Sequence, residues 1–346
     1  MLSKEDVMWQ VVGHEVAVAL LARGLKNGKL PHAFLFLGPR HVGKMTLAMN
    51  LAKALNCEGD EKPCCMCSQC QRIAGLKHAD VQVIGRDGRA EIGIDQIREM
   101  EHSASLRPFA GRNRVFIIDG AEHLSHESAN CLLKTLEEPP PNVHLILLAE
   151  NERLLLPTVL SRCQKLELRP LPVPVVERAL IDHWEVLPEQ ASVLARLSSG
   201  CLGWAVDALA DERLLVERAE RLAAILHLSS VGRGERFAYA THLANQFTKN
   251  RESVLEVLSL WVNWWRDLLL IKGGCGDFTT NIDQEATLYL EAEHYSLRGV
   301  KTFIESLQHA IESLDQNANP RLVLEVLMLS MPKRSLLTTH TYLSEV

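Results

Sequence analysis

The 346-residue sequence has no apolar run approaching the roughly 20 residues that a membrane span requires. Its opening stretch, MLSKEDVMWQ, starts with charges and lacks the apolar core of a secretory signal. Both absences predict a cytoplasmic protein. Positive charge is not in excess either. The formal net charge of −6 argues against wholesale coating of nucleic acid, while leaving room for a local basic strip on phosphates. There is no internal repeat and no low-complexity segment. With 47% hydrophobic residues and mixed charge the chain is not disordered, and it is long enough for two or three domains.

Cysteine is present in odd number, nine, and five of the nine fall between residues 57 and 70. A disulfide framework does not suit an intracellular chain; a metal site does. Cys64, Cys67 and Cys70 stand three apart, so two C-x-x-C knuckles share Cys67, and Cys57 supplies a fourth thiolate from the end of a preceding helix. Four thiolates at this spacing suit a closed tetrahedral zinc site with no open position for catalysis. An iron–sulfur cluster is the alternative, and Cys65 is expected to face away.

Hydrophobic spacing predicts a helix over 5–27 and short apolar strands at 33–38, 81–85, 114–119 and 144–150. Helices are expected behind residue 44 and around 94–105 and 125–138. Strands alternating with helices imply an α/β domain, a parallel sheet flanked by helices. After about residue 170 three prolines in LRPLPVPVVERAL mark a change, and the remainder reads as all-helical, with a softer boundary near 232. Trp261, Trp264, Trp265 and Leu268 recur at helical spacing and read as core in preference to interface.

GPRHVGKMT, residues 38–46, places Gly38, Gly43 and Lys44 where a phosphate-binding loop needs them, between a strand and a helix. Backbone N–H groups would face phosphate oxygens, and Lys44 would neutralise the outer phosphates. The next position, which should carry a magnesium-ligating hydroxyl, is Met45; Thr46 lies about 100° further round the helix. VFIIDGAEHL ends a strand in Asp119, the place of a magnesium-orienting acid, but Gly120 follows where a water-positioning Glu is wanted, and Glu122 is expected to fall short of that spot. A plain helix- or turn-capping role is the bland reading of Asp119. In LSRCQ, Arg162 follows the last strand; alone, such an arginine is an ordinary surface cation.

Together, VVGHEVAVALL, LPHAFLFLGPRHVGK, the cysteine knuckle, VFIIDGAEHL, NCLLKTLEEPPPNVHLILLAE and LSRC resemble the bacterial DNA polymerase III clamp-loader subunits of the AAA+ class, densely over 1–170 and more weakly to about 333. The resemblance implies an AAA+ domain at 1–170 with the zinc module at 57–70 inserted. It further implies an all-α lid at 171–232 and an all-α collar at 233–333, leaving a tail at 334–346 without a reading. The family's motor subunit, gamma or tau, has a hydroxyl after GK, a Glu after the Asp and a lid arginine; here those positions hold Met45, Gly120 and Gly203. The departures match an ATPase-deficient family member. Such a member supplies Arg162 as a finger in trans to a neighbouring gamma/tau subunit, buttresses the clamp-opening delta subunit, and helps load the sliding clamp on primed DNA. The intact loop through Lys44 predicts ATP or ADP binding without hydrolysis. Two other readings stand beside it: an ATPase in its own right, using Thr46 or a water, and a nucleic-acid-binding zinc protein. The last is disfavoured because EGDEKPCCMCSQCQR carries both signs of charge and no aromatic.

Overall fold

The computed structural model describes residue 9 and residues 11–334; the expected start of the first helix, at residue 5, and all but the first residue of the tail lie outside them. The chain divides into two compact units, one running through Val186 and including Gly200–Trp204, the other comprising Leu187–Ser199 and everything from Ala205 onward.

The first unit runs α1 (Glu15–Lys26), β1 (Ala33–Leu37), α2 (Lys44–Asn56), α3 (Ser68–Ala74), β2 (Val81–Ile84), α4 (Ile94–Ser105), β3 (Arg114–Asp119), α5 (His126–Glu137), β4 (Val143–Ala149), α6 (Pro157–Leu160), β5 (Gln164–Glu167) and α7 (Val173–Trp184). The five strands pair in parallel in the order β2-β3-β4-β1-β5. Every residue of β1 is buried, as an apolar run with helices on both faces requires. Alternation then sorts the side chains. Phe34, Phe36, Ile117 and Leu148 pack against α1 and α2, whereas Leu35, Phe116, Ile118 and Leu147 pack against α4 and α5. The expected helix over 5–27 is interrupted: Trp9 is helical, residues 11–14 are not, and a helix runs again from Glu15, because Gly13 and His14 both take positive φ and break the chain there. The edge strand β5, QKLE, was not expected: two charged residues and a glutamine around one buried leucine carry no apolar signal.

At the N-terminal ends of the strands, Asp80 is almost fully buried and accepts the backbone N–H groups of Phe109, Ala110 and Gly111, each at 2.7 Å. The Arg114 guanidinium reaches the same carboxylate at 3.1 Å. Burial would push this carboxyl up, but the three N–H donors and Arg114 outweigh it and hold the group below the usual carboxylate range.

The second unit comprises α8 (Pro188–Leu197), most of α9 (Leu202–Ala210), α10 (Arg213–Ser230), α11 (Arg233–Lys249), α12 (Arg251–Lys272), α13 (Glu285–Glu293), α14 (Leu297–Asp315) and α15 (Pro320–Ser330). Its centre is the tryptophan stretch of α12. Trp261, Trp264, Trp265 and Leu268 are all buried, so they are core; Trp265 meets Phe303 edge-on at 4.8 Å and Tyr239 stacks on Trp261. Arg236, also buried, donates to the carbonyls of Leu228, Ser229 and Met331, so one guanidinium satisfies the last carbonyls of α10 and the residue after α15.

Asp80→Asn is expected to cost about 3 to 5 kcal/mol, because it leaves the Arg114 charge buried without its counter-ion. Since the folded carboxyl titrates below its unfolded value of about 4, its contribution is present above that pH and is lost as the pH falls further. Urea unfolding from about pH 7 to pH 3 checks both points: the variant has the lower stability at neutral pH and a flatter decline in acid.

Candidate functional site

Parallel strands put all their C-terminal ends on one side of the sheet, and there the phosphate-type loop lies. It leaves β1 at Gly38, whose N–H bonds the Ala149 carbonyl of β4 at 3.2 Å. Only glycine fits: its φ is +153° and a Cβ would sit 2.2 Å from the Leu168 carbonyl oxygen. The loop re-enters helix at Gly43, which caps α2 with φ 108°. His14 braces it, its Nε2 donating to the Val42 carbonyl at 3.0 Å.

Lys44 opens α2 and folds back over the loop, its Nζ donating to the Gly38 carbonyl at 2.6 Å and the Pro39 carbonyl at 2.9 Å. Burial pulls its pKa down, while the carboxylates of Glu150, Glu122 and Asp119 pull the other way. Gly38, Gly43, Lys44 and Asp119 therefore do come together. Thr46 is exposed one turn along α2, whereas Met45 is half-buried and packs its thioether against the core shared by α1 and α2. Where magnesium would find a hydroxyl, the chain offers a soft side chain turned inward. Glu122 acts on Lys44 through its charge, and its Oε1 is occupied by the Glu150 N–H at 2.9 Å. Glu150 in turn pairs with Arg40 at 3.0 Å. Gly203, within the same unit, donates its N–H to the His41 carbonyl at 2.9 Å, and a Cβ there would meet that oxygen at 2.7 Å. His14 and Glu150 escaped the motif reading because each reaches the loop from a separate segment.

The four cysteines gather elsewhere. The Sγ atoms of Cys57, Cys64, Cys67 and Cys70 lie within 4.8 Å of one another, close to the S–S edge of about 3.8 Å that a tetrahedral ion with metal–sulfur bonds of about 2.3 Å imposes. Backbone N–H groups already point at the sulfurs: Gly59 and Cys64 donate to Cys57 Sγ, each at 3.3 Å, and Cys67 donates to Cys64 Sγ at 3.3 Å. The amide of Cys67, with that of Met66, pulls the Cys64 thiol down to about 6. For Cys67, burial is outweighed by the amides of Glu58 and Cys70, and its pKa is also lowered. Burial pushes Cys57 and Cys70 up. Donor type, proximity and N–H···S bonds fit a thiophilic cation such as zinc, held by four protein ligands with no open position. Cys65, at positive φ, stays outside the group.

Arg162 is near neither site. It sits in the turn between α6 and β5, its guanidinium donating to the Thr158 carbonyl at 2.9 Å and the Ser161 hydroxyl at 3.1 Å, and pairing with Glu137 at the end of α5 at 2.6 Å. Nothing in the LSRC motif pointed to Glu137, 25 residues upstream.

A parallel sheet of this strand order, with a phosphate-type loop after β1 and an acid at the tip of β3, is an α/β module of the AAA+ class, followed here by a helical unit. Residues 13–172 match the family described as DNA polymerase III, delta subunit, and residues 217–333 match the C-terminal region of the same family. The chain belongs to this family. It is 29% identical over 315 residues to DNA polymerase III subunit delta' of Bacillus subtilis, spanning 90% of this chain and 94% of that one. It is 37% identical over 199 residues to the tau subunit of Escherichia coli, which covers 56% of this chain but only 31% of tau. A solved gamma subunit-related protein of Thermotoga maritima superposes with a TM-score of 0.40 at 18% identity, covering 89% of this chain and 97% of that one. Among the described residues no helix is long and apolar enough to cross a membrane.

Metal analysis of the purified chain is expected to give about one zinc per molecule. Cys67→Ser should abolish it and Cys65→Ser leave it unchanged, and cobalt replacement should give the intense thiolate-to-metal absorption of a four-sulfur site. Equal loss from both serine variants would break the assignment of ligands.

Proposed function

We propose that this chain is the non-hydrolysing delta' subunit of a cytoplasmic clamp loader, acting in a five-subunit assembly with gamma/tau and delta to place the sliding clamp on primed DNA. The observation that carries the proposal is the position of Arg162 relative to its own phosphate loop. The arginine precedes β5, while the loop follows β1; β5 and β1 are parallel and in register from Gln164 opposite Phe34 to Glu167 opposite Leu37. The two groups stand at opposite ends of a strand pair that rises about 13 Å over those four residues. That separation supports a role for Arg162 at a neighbour's nucleotide in preference to its own. The pair with Glu137 leaves the arginine side chain 34% exposed and the glutamate 50% exposed. A pair this exposed is worth at most about 1 kcal/mol, so a triphosphate in a neighbouring subunit can take the guanidinium over.

The chain's own loop supports the second half of the reading. Its backbone and Lys44 suit a bound ATP or ADP, but Met45 offers no magnesium ligand and Glu122, tied to the Glu150 amide, does not position a water. The bulk of residues 171–232 would be the lid and 233–333 the collar. For the collar, α15 contributes Leu322, Val326 and Leu329, all more than half exposed and spaced as one helix face, the kind of stripe that a ring of helical domains buries. Zinc in the cysteine knuckle would be structural.

The test is ATP turnover by the reconstituted loader, stimulated by clamp and primed DNA. Arg162→Ala is expected to silence the one neighbouring site it completes, roughly 10³-fold at that site. Lys44→Ala is expected to leave turnover at the wild-type level; a loss of activity in Lys44→Ala would instead make the loop at 38–44 a working site.

A further inference from the structure

The loop that enters β3, RPFAGR at 107–112, is held at nearly every peptide. Asp80 takes three of its N–H groups, and the Asn56 Oδ1 takes those of Arg112 and Asn113 at 2.9 and 2.8 Å. Arg114 donates to the Arg107 carbonyl at 3.1 Å, and Gln69 of α3, inside the cysteine module, donates to the Ala110 carbonyl at 3.1 Å. A loop fixed this firmly has one conformation, yet its apex side chain, Phe109, is 85% exposed, more than any other large apolar residue among those described. Nothing in the packing of the unit uses that ring. The firm anchoring and the exposed ring together mark a side chain presented to a partner.

The charges around it state what partner. Arg107 and Arg112 flank Phe109 on the loop, and both are exposed. Arg72 and Lys77, also exposed, come from the end of α3, where Lys77 N–H closes on the Arg72 carbonyl at 2.8 Å. His78 joins this end to the loop's support by bonding Gln69 at 2.7 Å. Glu58, on the same glutamine at 3.0 Å, is the acid at the rim. Two arginines thus flank one flat apolar ring on its loop, and two more cations stand on the segment that braces that loop, in a chain whose net charge is −6.

We infer that this edge, at the N-terminal ends of β2 and β3 and away from the phosphate loop, binds single-stranded nucleic acid, with a base stacked on Phe109 and phosphates on Arg72, Lys77, Arg107 and Arg112. A flat ring between cations matches alternating bases and phosphates; stacking tolerates any base and the cations track the backbone. The cysteine module's own sequence has no aromatic, and the fold supplies one from a loop some 40 residues further on. The module's part is to brace the platform through Gln69 and to contribute Arg72 and Lys77.

The test is fluorescence anisotropy of a fluorescein-labelled dT20 oligonucleotide with the full chain, across salt from about 50 to 200 mM. Four phosphate contacts predict a log–log salt slope near −3, and a paired Arg107→Ala/Arg112→Ala variant is expected to lower its magnitude by about 1.4. Phe109→Ala is expected to weaken binding about tenfold with the slope unchanged, and Phe109→Trp to restore it with quenched indole fluorescence. All three sites are exposed, so thermal unfolding should match wild type. Absence of dT20 binding, or binding indifferent to Phe109, overturns the inference. Tighter, Phe109-dependent binding of labelled poly-L-glutamate would also overturn it, by assigning the edge to acidic protein segments.

Discussion

Everything in the first unit depends on one constraint: the five strands are parallel, so one side of the sheet collects only C-terminal ends and the other only N-terminal ends. The phosphate-type loop, Asp119 and the acids at the tip of β4 belong to the first side. The Asp80–Arg114 pair, the cysteine module braced on the 107–112 loop, and the Glu137–Arg162 pair belong to the second. A single chain cannot bring the two sides together without breaking a sheet buried on both faces. Chemistry that needed both this phosphate-type loop and Arg162 would therefore have to be completed between chains, as in the function proposed above.

The strength of the constraint comes from its uniformity. Alternate residues of the same strands feed two separate cores, so a one-residue slip in any pairing would exchange the two sets of partners at once. Polar interactions then fix what the cores leave undetermined. Asp80 and Asn56 order the entrance to β3, and His14 and the Gly203 amide hold the phosphate-type loop from outside its own motif. In the helical unit Asp267 plays the same part, accepting the N–H groups of Thr280 and Asn281 at 2.9 and 2.8 Å from full burial. In both places a buried carboxylate is met by backbone donors.

Much of this was legible in the sequence because the signals are local. Four strands showed as apolar runs, the loop glycines and the cysteine spacing are short motifs, and the tryptophans of α12 sit at helical intervals. What escaped was non-local or lacked pattern. β5 is an edge strand whose composition is mostly polar, so periodicity had nothing to register. The first helix looked continuous because apolar spacing runs through VVGHEV, while the break is a backbone matter of two successive positive φ values. The pull of the Glu122 charge on Lys44 was not foreseen, because a short turn at Ala121–His123 sets where that side chain lies. Glu137 and Phe109 carry meaning only once the strand order puts them beside Arg162 and the cysteine module.

Gly203 ties α9 to the phosphate-type loop by backbone against backbone. With a glycine there, the backbone of His41 settled against the helix and took its amide as a donor. Any larger residue now collides with that carbonyl. Restoring a hydroxyl at Met45 would also hollow the core that the thioether fills, since the methionine has been recruited into packing. Gly203 and Met45 therefore both take part in packing, and a bulky side chain at the first or a hydroxyl at the second would each cost stability.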